Sequence, residues 1–225
     1  PNYPGAGDST LRIIPFPWII YRGDILKADE EGNRLQFFKD DTVELGLSGG
    51  FNFPIESKEN KARKGMPDTR SLVGVGPGLI FRLKPKSKTS RLTFGLGIRG
   101  NFATSGDLFL REQGAIIEPN IRYWVKPNLE SSVTFFSSIS ASFSDQKYSE
   151  FFYEVPKKYE NETRKEYKAK SGLVDIATSI GFSLDITKKV SMFSGAYYSN
   201  LTLAANKHSP LIVNQHNIGY IFGIA

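Results

Sequence analysis

R-L-T-F-G-L-G-I-R-G-N-F, residues 91–102, alternates at every position. Leu92, Phe94, Leu96, Ile98, Gly100 and Phe102 fall on one side; Arg91, Thr93, Gly95, Gly97, Arg99 and Asn101 fall on the other. Side chains alternate faces along a strand, so this segment has one greasy face and one polar face. A strand of a soluble sandwich has the same look. Repetition separates the two, because at least six further segments of similar length carry the pattern. An antiparallel transmembrane up-and-down β-barrel, with lipid outside and a polar interior, needs such a series.

On the N-terminal side, residues 43–53 set Val43, Leu45, Leu47, Phe51 and Phe53 against Glu44, Ser48 and Asn52. Residues 73–83 place Val73, Val75, Leu79, Phe81 and Leu83 outward. Residues 25–38 read as two short strands broken near 29–33. Residues 11–21 read as an extended segment whose Pro15 and Pro17 cannot donate to a ladder, and Arg22-Gly23-Asp24 as a turn. On the C-terminal side, strands are expected over 115–125, 133–143, 174–186, 190–203 and 216–225. Their outward residues include Ile117 and Ile121, then Phe135 and Ile139, then Val174, Ile176 and Ile180, and finally Ile218, Tyr220, Phe222 and Ile224.

The connections sort by parity. Long ones are expected near 56–68, 103–114, 157–170 and 205–215, and short ones near 40–41, 85–89, 126–128 and 187–189. Outer-membrane barrels join strands by short periplasmic turns and longer extracellular loops. A sandwich has no reason for that order. Eleven strands can be counted, which predicts a twelfth ahead of Pro1; ten is the alternative count. No composition shift divides the 225 residues, so one barrel domain over 1–225 is expected.

Composition limits the function classes. Aromatics make up 13% of the chain, in keeping with the aromatic girdles of barrels; Trp18, Tyr123, Trp124, Tyr197, Tyr198 and Tyr220 are girdle candidates. There is no cysteine, which excludes disulfides, thiol catalysis and Cys-ligated metals. No apolar run reaches the ~20 residues of a membrane helix. The net charge of +6 is spread over loops and strand ends rather than one face, which argues against a nucleic-acid partner.

Several short motifs, taken in order, resemble a known family. Tyr3-Pro4-Gly5, Arg12-Ile13-Ile14-Pro15-Phe16-Pro17 and Tyr21-Arg22-Gly23 resemble the opening turns and strand of the MipA/OmpV family of outer-membrane proteins. The glycine-rich strand at 43–53 and Ser209-Pro210-Leu211-Ile212-Val213 are similar to it as well. Pro4 departs from that pattern where the family often has an acidic residue, and the charged loop 157–170 marks a divergent member. The resemblance implies a monomeric barrel in the outer membrane of a Gram-negative bacterium. It also implies a scaffold that brings a lytic transglycosylase together with a penicillin-binding synthase; other members are adhesins or antigens. No interface residue carries over. A narrow channel for small solutes, or a surface adhesin, is the alternative function.

Gly95-Leu96-Gly97-Ile98-Arg99-Gly100 matches G-x-G-x-x-G, but a dinucleotide site needs a helix to open from it, and this match lies inside a strand. Glycines here, and at Gly74, Gly76 and Gly78, read as room for large interior side chains. His208 and His216 are too few for a metal site, so neither metal nor cofactor is expected. His216 is the one strand-borne base that could serve a hydrolase, with Ser138, Ser140, Ser142, Ser179 or Ser183 as nucleophile; no triad stands out among them. The interior face should carry Glu44, Arg82, Arg99, Glu118, Arg122, Asp175 and Asp185, read as an ion-pair network filling the barrel rather than lining a pore. Lys157, Lys158, Arg164, Lys165, Lys168 and Lys170 form a charged loop that is either solvated or in contact with lipopolysaccharide phosphates.

Overall fold

The computed structural model of the chain describes residues 3–7, 26–29, 32–40, 42–83, 88–104, 110–187 and 190–224; for 26–29 and 32–39 it describes the backbone alone. The strands are β1 (Leu26–Asp29), β2 (Gly32–Lys39), β3 (Val43–Asn52), β4 (Leu72–Leu83), β5 (Ser90–Thr104), β6 (Leu110–Val125), β7 (Val133–Ser144), β8 (Gly172–Asp185), β9 (Ser191–Asn200) and β10 (His216–Ile224). Each pairs antiparallel with the next, in sequence order, as one meander. Among the described residues β1 and β10 are the two edges and no ladder joins them. The two strands expected within 25–38 are β1 and β2. The proline-bearing segment 11–21 and the turn 22–24 lie outside the described residues.

The alternation read in residues 91–102 is the pleat of β5. Thr93, Gly95, Gly97, Asn101 and Ala103 are buried on one face, and Ile98 is exposed on the other. The same outward face carries exposed apolar side chains from strand to strand: Leu45, Val75, Ile98, Ile121, Ile139, Ile180, Tyr220 and Phe222. A folded chain whose sheet turns this many large apolar groups outward has inverted the usual arrangement of a water-soluble domain.

Two ladders are interrupted by proline, which has no N–H to donate. Pairing of β4 with β5 skips Gly76 and Pro77, and pairing of β6 with β7 skips Glu118 and Pro119.

Two expectations are corrected. Residues 103–114 are not a long loop: β5 runs to Thr104 and β6 starts at Leu110. Positive-φ Gly114 and a register shift near Gly100 and Phe102 let the hairpin continue through what reads as turn chemistry. Val174 does not face outward. A bulge between Ser142 and Phe143 leaves Val174 without a partner and turns it into a buried cluster. In residues 145–153, to which the sequence pattern assigns no element, Asp145 caps an α-helix, α1 (Gln146–Tyr153).

The main apolar core lies at one end of the sheet rather than within it. Connections 53–71, 145–171 and 201–215 all leave that end, as antiparallel order requires. They fold together into a cap. Ile55, Leu72, Ala103, Ile116, Tyr148, Phe152, Tyr153, Ala169 and Val174 form one cluster with Tyr3 and Ala6 from the N-terminal segment. Met66, Val155 and Leu211 form a second beside it. Residues 3–7 are built into this cap: Gly5 O accepts from Val213 N at 2.8 Å, and Tyr153 Oη donates to Pro4 O at 3.2 Å.

Candidate functional site

The inner face divides into two parts. On β3–β6 it is charged. Arg82 pairs with Glu44, whose side chain is 1% exposed. Arg99 Nη2 lies 2.8 Å from Glu118 Oε2, and its Nη1 donates to Ser48 Oγ at 3.2 Å. The Arg99 side chain runs over Gly50 and Gly97, where a Cβ would crowd it, and a Cβ at Gly74 would crowd the Asn101 amide beside it. Gly95 likewise leaves room for the Asn120 side chain, and the run lies within β5 with no helix opening from it. Arg122 shares a cavity of about 290 Å³ with Glu44, Arg99, Glu118, Asn120 and Trp124.

On β8 the acids behave differently. Asp175 is buried and accepts from Ser199 Oγ at 2.5 Å, beneath the cap. Asp185 accepts from Ser191 Oγ at 2.8 Å and is exposed at the opposite end. The seven interior charges expected as one network thus separate. Glu44, Arg82, Arg99, Glu118 and Arg122 gather on β3–β6, while Asp175 and Asp185 hold serines of β9.

Helix α1 packs against β6 and the cap cluster at the loop end. Asp145 Oδ1 accepts from Tyr148 N at 2.8 Å as its N-cap, and Oδ2 accepts from Ala115 N at 2.9 Å. Gly114 packs against this cap so closely that a Cβ would run into the Asp145 carboxylate. Burial drives the Tyr148 phenol up to about 12, with the positive field of Arg99 opposing, and drives Tyr153 well above its ordinary value. Tyr148 therefore hangs from the cap within electrostatic reach of Arg99, Glu118 and Asp175.

Asn206 staples the cap from within. Its Oδ1 accepts from Lys170 N at 2.8 Å and Tyr167 Oη at 3.3 Å. Its Nδ2 donates to Lys170 O at 2.7 Å and Ser149 Oγ at 3.2 Å. All the hydrogen-bonding capacity of a buried amide is used, and two connections and α1 are held by one residue. Nothing in the sequence around Asn206 distinguishes it from a loop asparagine.

The charged loop is part of the cap. Arg164 is buried and donates to the carbonyls of Tyr159, Ala62 and Lys64 at 2.8 to 3.1 Å, so it has no place on a contact surface. Lys157, Lys158, Lys165, Lys168 and Lys170 are exposed. Lys165 lies 3.6 Å from Glu160, and Lys158 stands over the Tyr159 ring.

The hydrolase candidates fall apart geometrically. Ser138 Oγ and Ser179 Oγ bond each other at 2.7 Å on the inner face. His216 stacks on Tyr198, its Nδ1 lying 2.6 Å from the phenol oxygen, and alternates with buried Asn217. Base and nucleophiles lie on opposite faces of the sheet. Among the described residues no three acidic, histidine or cysteine side chains gather as a metal site.

The family comparison returns one match, which spans residues 1–225 and is described as MltA-interacting protein MipA. No curated protein and no solved structure matches the chain.

Proposed function

From the premise that this chain belongs to the MipA family, we propose that it is an outer-membrane β-barrel that docks peptidoglycan-remodelling enzymes at its turn end. The family match over the whole chain carries this reading, because the family is that of the MltA-interacting protein MipA. The partners are a lytic transglycosylase and, by the same resemblance, a penicillin-binding synthase.

The fold supports the membrane part. The outward face of the sheet is apolar from β3 to β10. In a bilayer an open sheet edge leaves backbone groups unsatisfied, so a sheet with this face closes on itself. We read it as one barrel domain of ten to twelve strands, monomeric, with the cap outside the cell. The turns at 40–42 and 126–132 then face the periplasm.

The cap and α1 support a scaffold over a channel. A solute route needs a lumen open at both ends, and in a closed barrel α1, with buried Tyr148, would stand at one of them. Paired charges on β3–β6 narrow the space below it. A non-enzymatic role fits the separation of His216 from the inner-face serines. The exposed lysines at 157, 158, 165, 168 and 170 are suited to lipopolysaccharide phosphates, which a point-charge ammonium binds well.

A capture experiment tests the docking function. The folded barrel is immobilised in detergent and solubilised envelope from its host is passed over it, with an unrelated barrel of similar size as control. Specific retention of a lytic transglycosylase or a penicillin-binding synthase supports the reading. Retention of neither sinks it and makes bilayer conductance the deciding experiment.

A further inference from the structure

Two arginines meet at the joint between connections 53–71 and 154–171. Arg63 is 4% exposed and Arg164 is 7% exposed. Arg164 donates to the carbonyls of Ala62 and Lys64, which flank Arg63 in sequence, and to that of Tyr159. Arg63 Nη1 reaches Phe152 O at 3.4 Å. Every one of these acceptors is a neutral main-chain carbonyl. No carboxylate lies within ion-pair distance of either guanidinium among the described residues.

Two buried donors at this joint meet no acceptor among the described residues: Arg63 Nε and Asn60 Nδ2. They belong to one 3-10 turn, Lys61–Arg63, whose N-cap is Asn60; Asn60 Oδ1 accepts from Arg63 N at 3.1 Å. Asn60 is 1% exposed. The surroundings are apolar, because Met66, Val155 and Leu211 pack here with Ala62, Tyr159 and Tyr167. The protein therefore supplies donors, two like charges and hydrocarbon, and no charged acceptor. Burying a cation without a counter-charge is among the least favourable things a fold can do. A water molecule would satisfy the two N–H groups and leave the charges uncompensated.

We propose that a small monovalent anion of the halide class, chloride in the protein's ordinary surroundings, binds between Asn60 and Arg63 beside Arg164 and is a structural component of the cap. It accepts from Asn60 Nδ2 and Arg63 Nε and offsets the mutual repulsion of the two guanidiniums. Glu59, next to Asn60 in sequence, is exposed; Asp68 is exposed too and engaged by Ser57 N at 2.6 Å, so it acts on Arg63 through space only. Burial and the neighbouring Arg164 both press the Arg63 guanidinium toward losing its proton, and a bound anion relieves that pressure. A halide fits better than a phosphate, which would need many more donors to replace its hydration in so enclosed a place.

The test uses the full chain in detergent. Tryptic nicking within 154–171 is followed against temperature in sodium chloride, sodium bromide and sodium gluconate at equal ionic strength. Chloride and bromide are expected to raise the nicking midpoint in a saturable way, as mass action requires of a ligand bound only by the folded state. Gluconate is too large to enter and should not. Arg63→Met should abolish the difference between salts. If Arg63→Met fails to fold, Asn60→Asp serves, because it places a carboxylate where the anion sits. Its cap should resist nicking equally in all three salts. Crystals grown in bromide should show anomalous scattering beside Arg63 and Asn60. Equal midpoints in chloride and gluconate for the unmodified protein, or bromide sites elsewhere in the crystal with none here, would overturn the proposal.

Discussion

The hydroxyl of Tyr3 donates to the carbonyl of Leu211 at 2.7 Å, across 208 positions of sequence. The two residues belong to the first and last of the motifs that carry the family resemblance, so those motifs are two halves of one joint. Around it Gly5 O accepts from Val213 N and Asn214 N. Tyr3→Phe leaves the Leu211 carbonyl buried without this donor, a loss of about 1 to 3 kcal/mol. Thermal unfolding of the cap, followed by near-ultraviolet circular dichroism, should show it, while the β-sheet signal stays in place. Simultaneous loss of both signals would mean that cap and sheet unfold as one unit.

Arg99 and Glu118 should behave as a coupled, half-buried pair. Arg99→Leu leaves Glu118 with an unmatched charge and should destabilise the fold by about 1 to 3 kcal/mol. Arg99→Leu combined with Glu118→Leu should recover most of that loss. Urea unfolding in lipid vesicles measures both, and additive losses would show that the pair is not coupled.

If α1 fills the loop end of a closed barrel as proposed, the intact protein should not conduct in a planar bilayer. Replacing residues 146–153 with a glycine-serine linker should open current steps whose ion selectivity changes in Arg122→Ala. Steps in the unmodified protein would revive the channel reading.

Alkaline pH should loosen the cap before the sheet. The Tyr148 phenol titrates at about 12 in the folded protein, against about 10 when unfolded. A pKa raised by folding contributes stability that is complete below the unfolded value and is lost as pH rises through the folded one. The window is therefore pH 10 to 12. Tyrosinate absorbance at 295 nm should lag behind that of free tyrosine and then rise together with nicking in 154–171. Tyr148→Phe should narrow the lag.

Arg164 and its neighbours in the charged loop should separate cleanly. Arg164→Gln removes donors to three main-chain carbonyls and should make 154–171 open to protease. Lys168→Glu with Lys170→Glu should leave the cap folded and reduce lipopolysaccharide retained on purification. Unchanged retention would remove the lipopolysaccharide reading of this loop.

The strands were legible because their cause is local. Leu92, Phe94 and Leu96 alternate with Thr93, Gly95 and Gly97 whatever the rest of the chain does. Helix α1 was only faintly legible. Asp145 is a good cap and Tyr148 and Phe152 are spaced for one face, but eight residues rich in aromatics do not hold a helix without packing. Arg164 looked like any loop cation, because its acceptors lie 102 and 100 positions away at Ala62 and Lys64. Asn60 and Arg63 were invisible for the same reason: only their shared burial makes them unusual. Val174 was misplaced because a single bulge reverses which face a strand residue takes.

A cap assembled from 53–71, 145–171 and 201–215 presents a mosaic to anything approaching from that end. An antibody or phage receptor-binding protein that lands there touches pieces of several segments at once. Serum raised against a synthetic peptide of 154–171 would meet Arg164 and Val155 displayed as they never are in the folded protein, where both are buried. Epitopes on this surface are discontinuous, and sequence drift in one segment can be masked or exposed by its neighbours.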